Sequence, residues 1–202
     1  MNARRLDQWV NYWVHLMERE IQETSWHSRL ASHLATRLGR KLGLQGEPLR
    51  HLRRGALLHD IGKLAIPRQI LYKPGPLNAE EWRIMRRHPL YAYDFFAPLP
   101  ELHPALEVAL YHHEKWDGSG YPFGLAGEAI PLAARIFAIV DVWNALRSDR
   151  PYRAAWSEEA TRAYILSNRG QQFDPQVVDA FWEVLRRNGR DLTAAPVPQP
   201  AD

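Results

Sequence analysis

A histidine and an aspartate, His59-Asp60, stand side by side directly behind the apolar run Ala56-Leu57-Leu58. This constrains the fold more than any other stretch, because an imidazole and a carboxylate carried into a core must be paired or metal-bound. The pair offers one neutral nitrogen and one carboxylate, and a carboxylate can bridge two cations. Lys63 follows Asp60 at i+3 and His59 at i+4, the spacing of neighbours on one helical face. A plain helix end, with both groups capping or solvated, would satisfy the same residues. Only further ligands at suitable places separate the two readings.

The chain contains no cysteine, which removes disulfides, thiolate metal sites and cysteine nucleophiles together. A metal here would therefore sit on histidine and carboxylate. The 202 residues suit one domain with a sizeable core. A formal charge of +3 without a dense basic run gives no support to a nucleic-acid polymer as partner. Met1 is followed by charged residues in an amphipathic pattern rather than by a signal-peptide run, and no apolar stretch approaches the ~18 residues of a membrane span. The expectation is a cytoplasmic protein with no membrane attachment.

Helical periodicity dominates. Leu6, Val10, Trp13 and Met17 recur at steps of four, three and four, a stripe that suits either packing on the domain or a homodimer seam. A second helix is predicted over residues 25–42, with Leu30, Leu34, Leu38 and Leu42 on one face and Gly43 at its end. Pro48 fits the first turn of a helix running into His59-Asp60, and Gly62 and Pro67 redirect it. Asn78 with Glu81 reads as a capping box for a helix carrying Trp82, Met85 and His88, which Pro89 ends or restarts. A short helix should end at Tyr111-His112-His113. Residues 114–130, with four glycines and a proline, suit an ordered loop. Pro131 opens an apolar helix from Leu132 to Leu146; Ser157 and Asp174-Pro175 start two more. No alternating strand pattern is present, so the predicted class is all-α.

His27, His59, His88, His112 and His113 lie at helix ends or beside other polar groups, and Asp60 and Asp141 complete a set of nitrogen and oxygen donors. Such a set suits iron, manganese or zinc more than calcium. Asp141 follows Ile136-Phe137-Ala138-Ile139-Val140, where an unpaired carboxylate is costly, although a salt bridge to Arg135 would also satisfy it. Glu23 stands four residues before His27 and shares its face on a continuous helix. His15, His33, His51 and His103 lack such company.

His59-Asp60-Ile61-Gly62-Lys63 and the stretch from His112-His113-Glu114 through Asp117-Gly118-Ser119-Gly120-Tyr121-Pro122 resemble the signatures of HD-GYP domains, a branch of the HD phosphohydrolase superfamily. Ile66-Pro67, Ile130-Pro131, Asp149-Arg150-Pro151-Tyr152-Arg153 and Phe173-Asp174-Pro175 extend the resemblance from about Glu23 to about Phe181. It implies an HD-domain helical bundle with an added GYP loop and C-terminal helices. The expected organisation is an N-terminal helix over 1–22, the HD-GYP domain over 23–188 and a disordered Pro-rich tail over 189–202.

The resemblance also implies a centre of two divalent metal ions, iron or manganese, and hydrolysis of cyclic di-GMP. By position, Glu23, His27, His59, Asp60, His88, His112, His113 and Asp141 match the family's metal ligands, with Asp60 bridging and Glu23 matching the extra carboxylate of trimetal members. Asp60 and Lys63 match its catalytic positions, and Lys63, Arg150 and Arg153 its phosphate contacts. In the loop, Gly120, Tyr121 and Pro122 stand at the substrate side, where Tyr121 or Trp116 could stack a guanine or merely pack the loop. Two departures stand out: Asn144 where many members have Asp, and Ala92 for a frequent Gly. A neutral amide is the poorer metal ligand, so the expectation is two tightly held ions, a weak or missing third, and pGpG as the main product. The rival readings are a phosphohydrolase for another nucleotide, such as a different cyclic dinucleotide, and an interaction module binding a diguanylate cyclase through the Gly120-Tyr121-Pro122 loop.

Overall fold

Helix α3, Gly46–Leu58, sends Leu52 and Ala56 into one apolar cluster and Leu57 and Leu58 into another. Helix α7, His103–Tyr111, divides in the same way, with Val108 on the first side and Ala105, Leu106 and Ala109 on the second. These two helices are the shared wall of the fold. The computed structural model of the chain describes residues 3–21, 25–149 and 153–186, and for 25–27 the backbone alone. Among the described residues the regular structure is helical throughout.

The first cluster is closed by α2 (Ser25–Lys41), α8 (Leu132–Leu146), α9 (Glu158–Ser167) and α10 (Pro175–Arg186), through Leu34, Leu38, Phe137, Val140, Ile165 and Phe181. The second is closed by α1 (Ala3–Ile21), a 3-10 turn over Ile61–Ala65 and α6 (His88–Phe96). Two short helices, α4 (Arg68–Leu71) and α5 (Ala79–Met85), connect that turn to α6.

The buried stripe of α1 is Leu6, Val10, Val14, Met17 and Ile21. Val14 takes the place expected of Trp13, whose indole is too large for the seam and lies at its edge against Trp9, Phe95 and Phe96. Full burial of each such apolar side chain stabilises by about 1.5–3 kcal/mol before entropy is counted. Arg54, 2 % exposed on α3, donates to the Asp7 carboxylate at 2.7 Å and pins the helix. The stripe is thus packed on the domain.

The predicted breaks hold. Gly43 ends α2 at a φ of 88°, with Leu44 N–H donating to the Gly39 carbonyl at 2.8 Å. Asn78 and Glu81 form the reciprocal capping box of α5. Pro89 restarts the helix, making His88 the first residue of α6 rather than a continuation of α5, because a proline fits a helix's first turn and not its interior. The Pro-rich tail, Glu23 and Arg150 lie outside the described residues.

Candidate metal and phosphodiester site

Three helix C-termini meet at one place. His59 and His112 are the residues immediately after α3 and α7, and His88 is the third residue after α5. Each uses the same local device. The Nδ1–H of His59 donates to the Ala56 carbonyl, that of His88 to Met85 and that of His112 to Ala109, each at 2.9 Å. Those carbonyls belong to the last turns of their helices and have no helical donor of their own. The bond fixes ring and tautomer, and leaves Nε2 as a lone-pair acceptor aimed away from the helix.

Those Nε2 atoms converge. The ligand atoms of His88, His112 and His113 all lie within 4.8 Å of one another. His59 and His112 rings pack edge to face at 5.3 Å, and His88 and His113 rings at 5.0 Å. Asp60 sits between the groups: His88 Nε2 lies 3.3 Å from its Oδ1, and His59 Nε2 lies 3.1 Å from its Oδ2. Asp141 reaches in from α8, its Oδ1 3.9 Å from His59 Nε2. Lys63 donates to Asp60 Oδ2 at 2.6 Å. Phe137 walls the cluster on the α8 side, 4.7 Å from the His59 ring.

The electrostatics fit a cation. Burial pushes the His88, His112 and His113 imidazoles below the usual value, His112 well below and His113 to about 3, with the neighbouring imidazoles adding to the shift. All three are neutral at pH 7, the form a metal requires. Burial alone would raise the Asp60 carboxyl, but Lys63, His59 and His88 together hold it well below the carboxylate range. The buried Nε2 atoms of His88 and His112 have no hydrogen-bond partner among the described residues. Two orphaned, buried lone pairs next to an ionised carboxylate are what a divalent cation would satisfy.

Two glycines hold the cluster together. A Cβ on Gly62 would lie 1.9 Å from the His88 carbonyl oxygen and 2.6 Å from the Ala92 nitrogen. Only a residue without a side chain lets the 3-10 turn behind Asp60 lie on α6, with the Ala92 methyl still accommodated. A Cβ on Gly120 would meet the Lys115 nitrogen at 2.4 Å and the His113 carbonyl oxygen at 2.6 Å. The loop from Lys115 to Ile130 therefore folds flat onto His113, and Tyr121 stacks on the His113 ring at 4.7 Å. Burial raises the Tyr121 phenol, so it stays protonated and can donate at neutral pH.

Glu114 organises that loop and was not singled out from sequence. It is 3 % exposed, and its two oxygens accept from Phe123 N–H at 2.7 Å and Leu125 N–H at 3.1 Å. A buried acid between two candidate ligands and a Gly-rich loop was the available signal. Arg135 does not pair with Asp141. Its Nη1 donates to Asp174 at 2.6 Å and its Nε to the Ile130 carbonyl at 2.9 Å, while its guanidinium covers the Trp116 ring. Trp116 is therefore loop packing rather than an open stacking face.

Of the remaining expected residues, Arg153 donates to the Ala145 carbonyl at 2.7 Å and lies over Trp156, which fixes it to the end of α8 one turn beyond Asp141. Pro122 follows Tyr121 through a cis peptide. His27 is on the first turn of α2, its side chain outside the described atoms, as are all atoms of Glu23 and Arg150. Asn144 stands one turn after Asp141, and its Nδ2 is buried without a partner among the described residues.

The sequence profile described as HD domain matches residues 13–177. The chain is 48% identical over 152 residues to a cyclic di-GMP phosphodiesterase response regulator of Xanthomonas campestris, covering 74% of this chain and 40% of that protein. It is 38% identical over 169 residues to a 3'3'-cGAMP-specific phosphodiesterase of Vibrio cholerae, covering 83% of this chain and 32% of that protein. The chain thus spans well under half the length of these relatives. Among solved structures, a cyclic GMP-AMP-specific phosphodiesterase of V. cholerae shares the fold with a TM-score of 0.68 at 18% identity, over 86% of this chain and 47% of that one. No helix among the described residues is long and apolar enough to cross a membrane.

Proposed function

Since the chain belongs to the HD-domain family, we propose that it is a metal-dependent phosphodiesterase that hydrolyses cyclic di-GMP to pGpG. The observation that carries this reading is the Asp60 carboxylate, with one oxygen toward His88 and the other toward His59. A carboxylate so placed divides the donors into two sets. His88, His112 and His113 with Asp60 Oδ1 would hold one ion; His59 and Asp141 with Asp60 Oδ2 would hold the other. The donor set favours iron or manganese. Two such ions, when bound, neutralise phosphodiester charge and make water a nucleophile near neutral pH.

The chain's own residues supply the rest. The carbonyls of Ala56, Met85 and Ala109 hold three imidazoles in the ligating tautomer. Lys63, beside Asp60, adds a positive charge where a phosphate oxygen would lie. The Tyr121 hydroxyl is a neutral donor at the same mouth. Arg153, with Arg150, would meet the second phosphate. Glu114 keeps the loop closed over His113, which limits water at the site.

Asn144 supports two strong ions rather than three, since a neutral amide replaces a carboxylate one turn beyond Asp141. Glu23 and His27 would complete a weak third position. Asn144→Asp should then raise metal content or speed conversion of pGpG to GMP. Binding a diguanylate cyclase through the Gly120-Tyr121-Pro122 loop is the second reading, favoured by the exposed Phe123 beside that loop, 56% accessible.

The test is His59→Ala and Asp60→Ala in the full chain. Both should lose metal and turnover of cyclic di-GMP while helical content is kept. Full metal stoichiometry and turnover in either variant would overturn the assignment.

A further inference from the structure

A chain of stacked groups leads out of the site to solvent. Tyr121 stacks on His113 at 4.7 Å with 24° between the planes. The Arg86 guanidinium carbon lies over the Tyr121 ring at 5.4 Å and over the Trp82 ring at 5.8 Å. Trp82 itself is 46% exposed, so part of the indole is open to a ligand. Arg86 caps the C-terminus of α5, two residues before His88, so its backbone is as fixed as the site.

The arrangement leaves the guanidinium with a distinct property. Cation–π contacts with two rings hold the guanidinium carbon between Tyr121 and Trp82. Among the described residues, its side-chain donors have no acceptor. A held, donor-only fork beside an open indole needs a ligand with a flat face and two adjacent acceptors. Guanine has both, because its N7 and O6 lie side by side and accept two N–H groups from one arginine. Adenine does not, because its N6 amino group would point a donor at a donor. A phosphate would use the fork but not the indole.

We propose that Arg86 is a specificity-determining residue, donating two guanidinium N–H groups to the O6 and N7 edge of a guanine laid against Trp82. This rests on the reading of the site as a cyclic dinucleotide phosphodiesterase, and it names the base that site selects. The ring of a cyclic dinucleotide ties base to phosphate, so a base caught on the Trp82–Arg86 shelf would set a phosphodiester toward Asp60.

The experiment measures binding to the metal-loaded full chain by calorimetry, using hydrolysis-resistant phosphorothioate cyclic di-GMP and phosphorothioate cyclic di-AMP, beside turnover of cyclic di-GMP itself. One bidentate arginine–guanine pair discriminates by roughly five- to 150-fold. Arg86→Met should cut the preference for the guanine ligand by that factor, mainly through weaker guanine binding. Arg86→Lys should not restore it, since an ammonium lacks the fork. Arg87→Met, one residue on and over Tyr91 instead, removes the same charge and should leave the preference unchanged.

Equal losses for both ligands, rescue by lysine, an unchanged preference in Arg86→Met, or a wild-type chain that binds neither ligand would each overturn the proposal. Guanine-selective binding that depends on Arg86, without turnover of cyclic di-GMP, would overturn the phosphodiesterase reading and keep this one. Turnover with a preference indifferent to Arg86 would do the reverse.

Discussion

Gly62→Ala tests whether close backbone approach, rather than ligand identity alone, assembles the site. The added methyl would stand 1.9 Å from the His88 carbonyl oxygen, where contacts below 3.0 Å essentially never occur. Its other near neighbours are the Ala92 nitrogen and the His88 carbonyl carbon, all backbone of α6, so no side chain can rotate out of the way. The 3-10 turn carrying Asp60's successors must therefore lift from α6 by roughly 1 Å, a displacement that costs about 10²-fold in a positioned reaction. Overpacking of this kind destabilises by about 1–3 kcal/mol. At 2–4 °C per kcal/mol for a chain of this size, the melting temperature should fall by roughly 2–12 °C. Metal affinity should fall more steeply than stability, because the lift separates Asp60 from His88. Differential scanning calorimetry with elemental analysis reads both. An alanine variant with unchanged melting temperature and full metal content would refute the reasoning.

Further outcomes follow from the same geometry. Glu114→Ala leaves the Phe123 and Leu125 N–H groups without their acceptor, at about 1–3 kcal/mol each, so proteolysis should begin in the loop after Lys115 while metal content changes little; loss of metal without loop cleavage would contradict this. In metal-free protein, His88, His112 and His113 are held neutral by folding, so the unfolded chain binds more protons below its ordinary histidine value. Stability should therefore fall as pH drops below about 6.5, by up to about 1.4 kcal/mol per pH unit for each histidine while the pH lies between its unfolded and folded values, the His113 contribution continuing to about 3; denaturant titrations that are flat below pH 6.5 would count against the depressed imidazoles. The Arg135–Asp174 pair holds the loop's far side, so Asp174→Ala should lower the melting temperature by several degrees and leave metal stoichiometry intact, which calorimetry and elemental analysis together check.

Much of the fold was legible because its punctuation is local. Asn78 with Glu81, Gly43, Pro67, Pro131 and Ser157 each act within a turn or two of their own position, and the helices begin and end where those residues stand. The candidate ligands were legible for a related reason: His59, His112 and Asp141 are polar groups at the edge of apolar runs, where burial without a partner is costly. The choice between Val14 and Trp13 was not legible, since both fit the helical period and side-chain volume against α6 decides. Nor was the Arg135–Asp174 pair, whose members are 39 residues apart. Arg86 and Trp82 read as ordinary surface residues of α5 until the Gly120 loop folds back and lays Tyr121 beside them.

The central claim is that Asp60 joins two cation positions in a phosphodiesterase. Elemental analysis of the full chain purified without oxygen, with chromatography of products from cyclic di-GMP, tests it most directly. The account predicts two iron or manganese ions per chain, pGpG formed ahead of any GMP, and loss of both ions together in Asp60→Ala. A chain that hydrolyses cyclic di-GMP with no bound metal, or that holds two ions and leaves every cyclic dinucleotide intact, would contradict it.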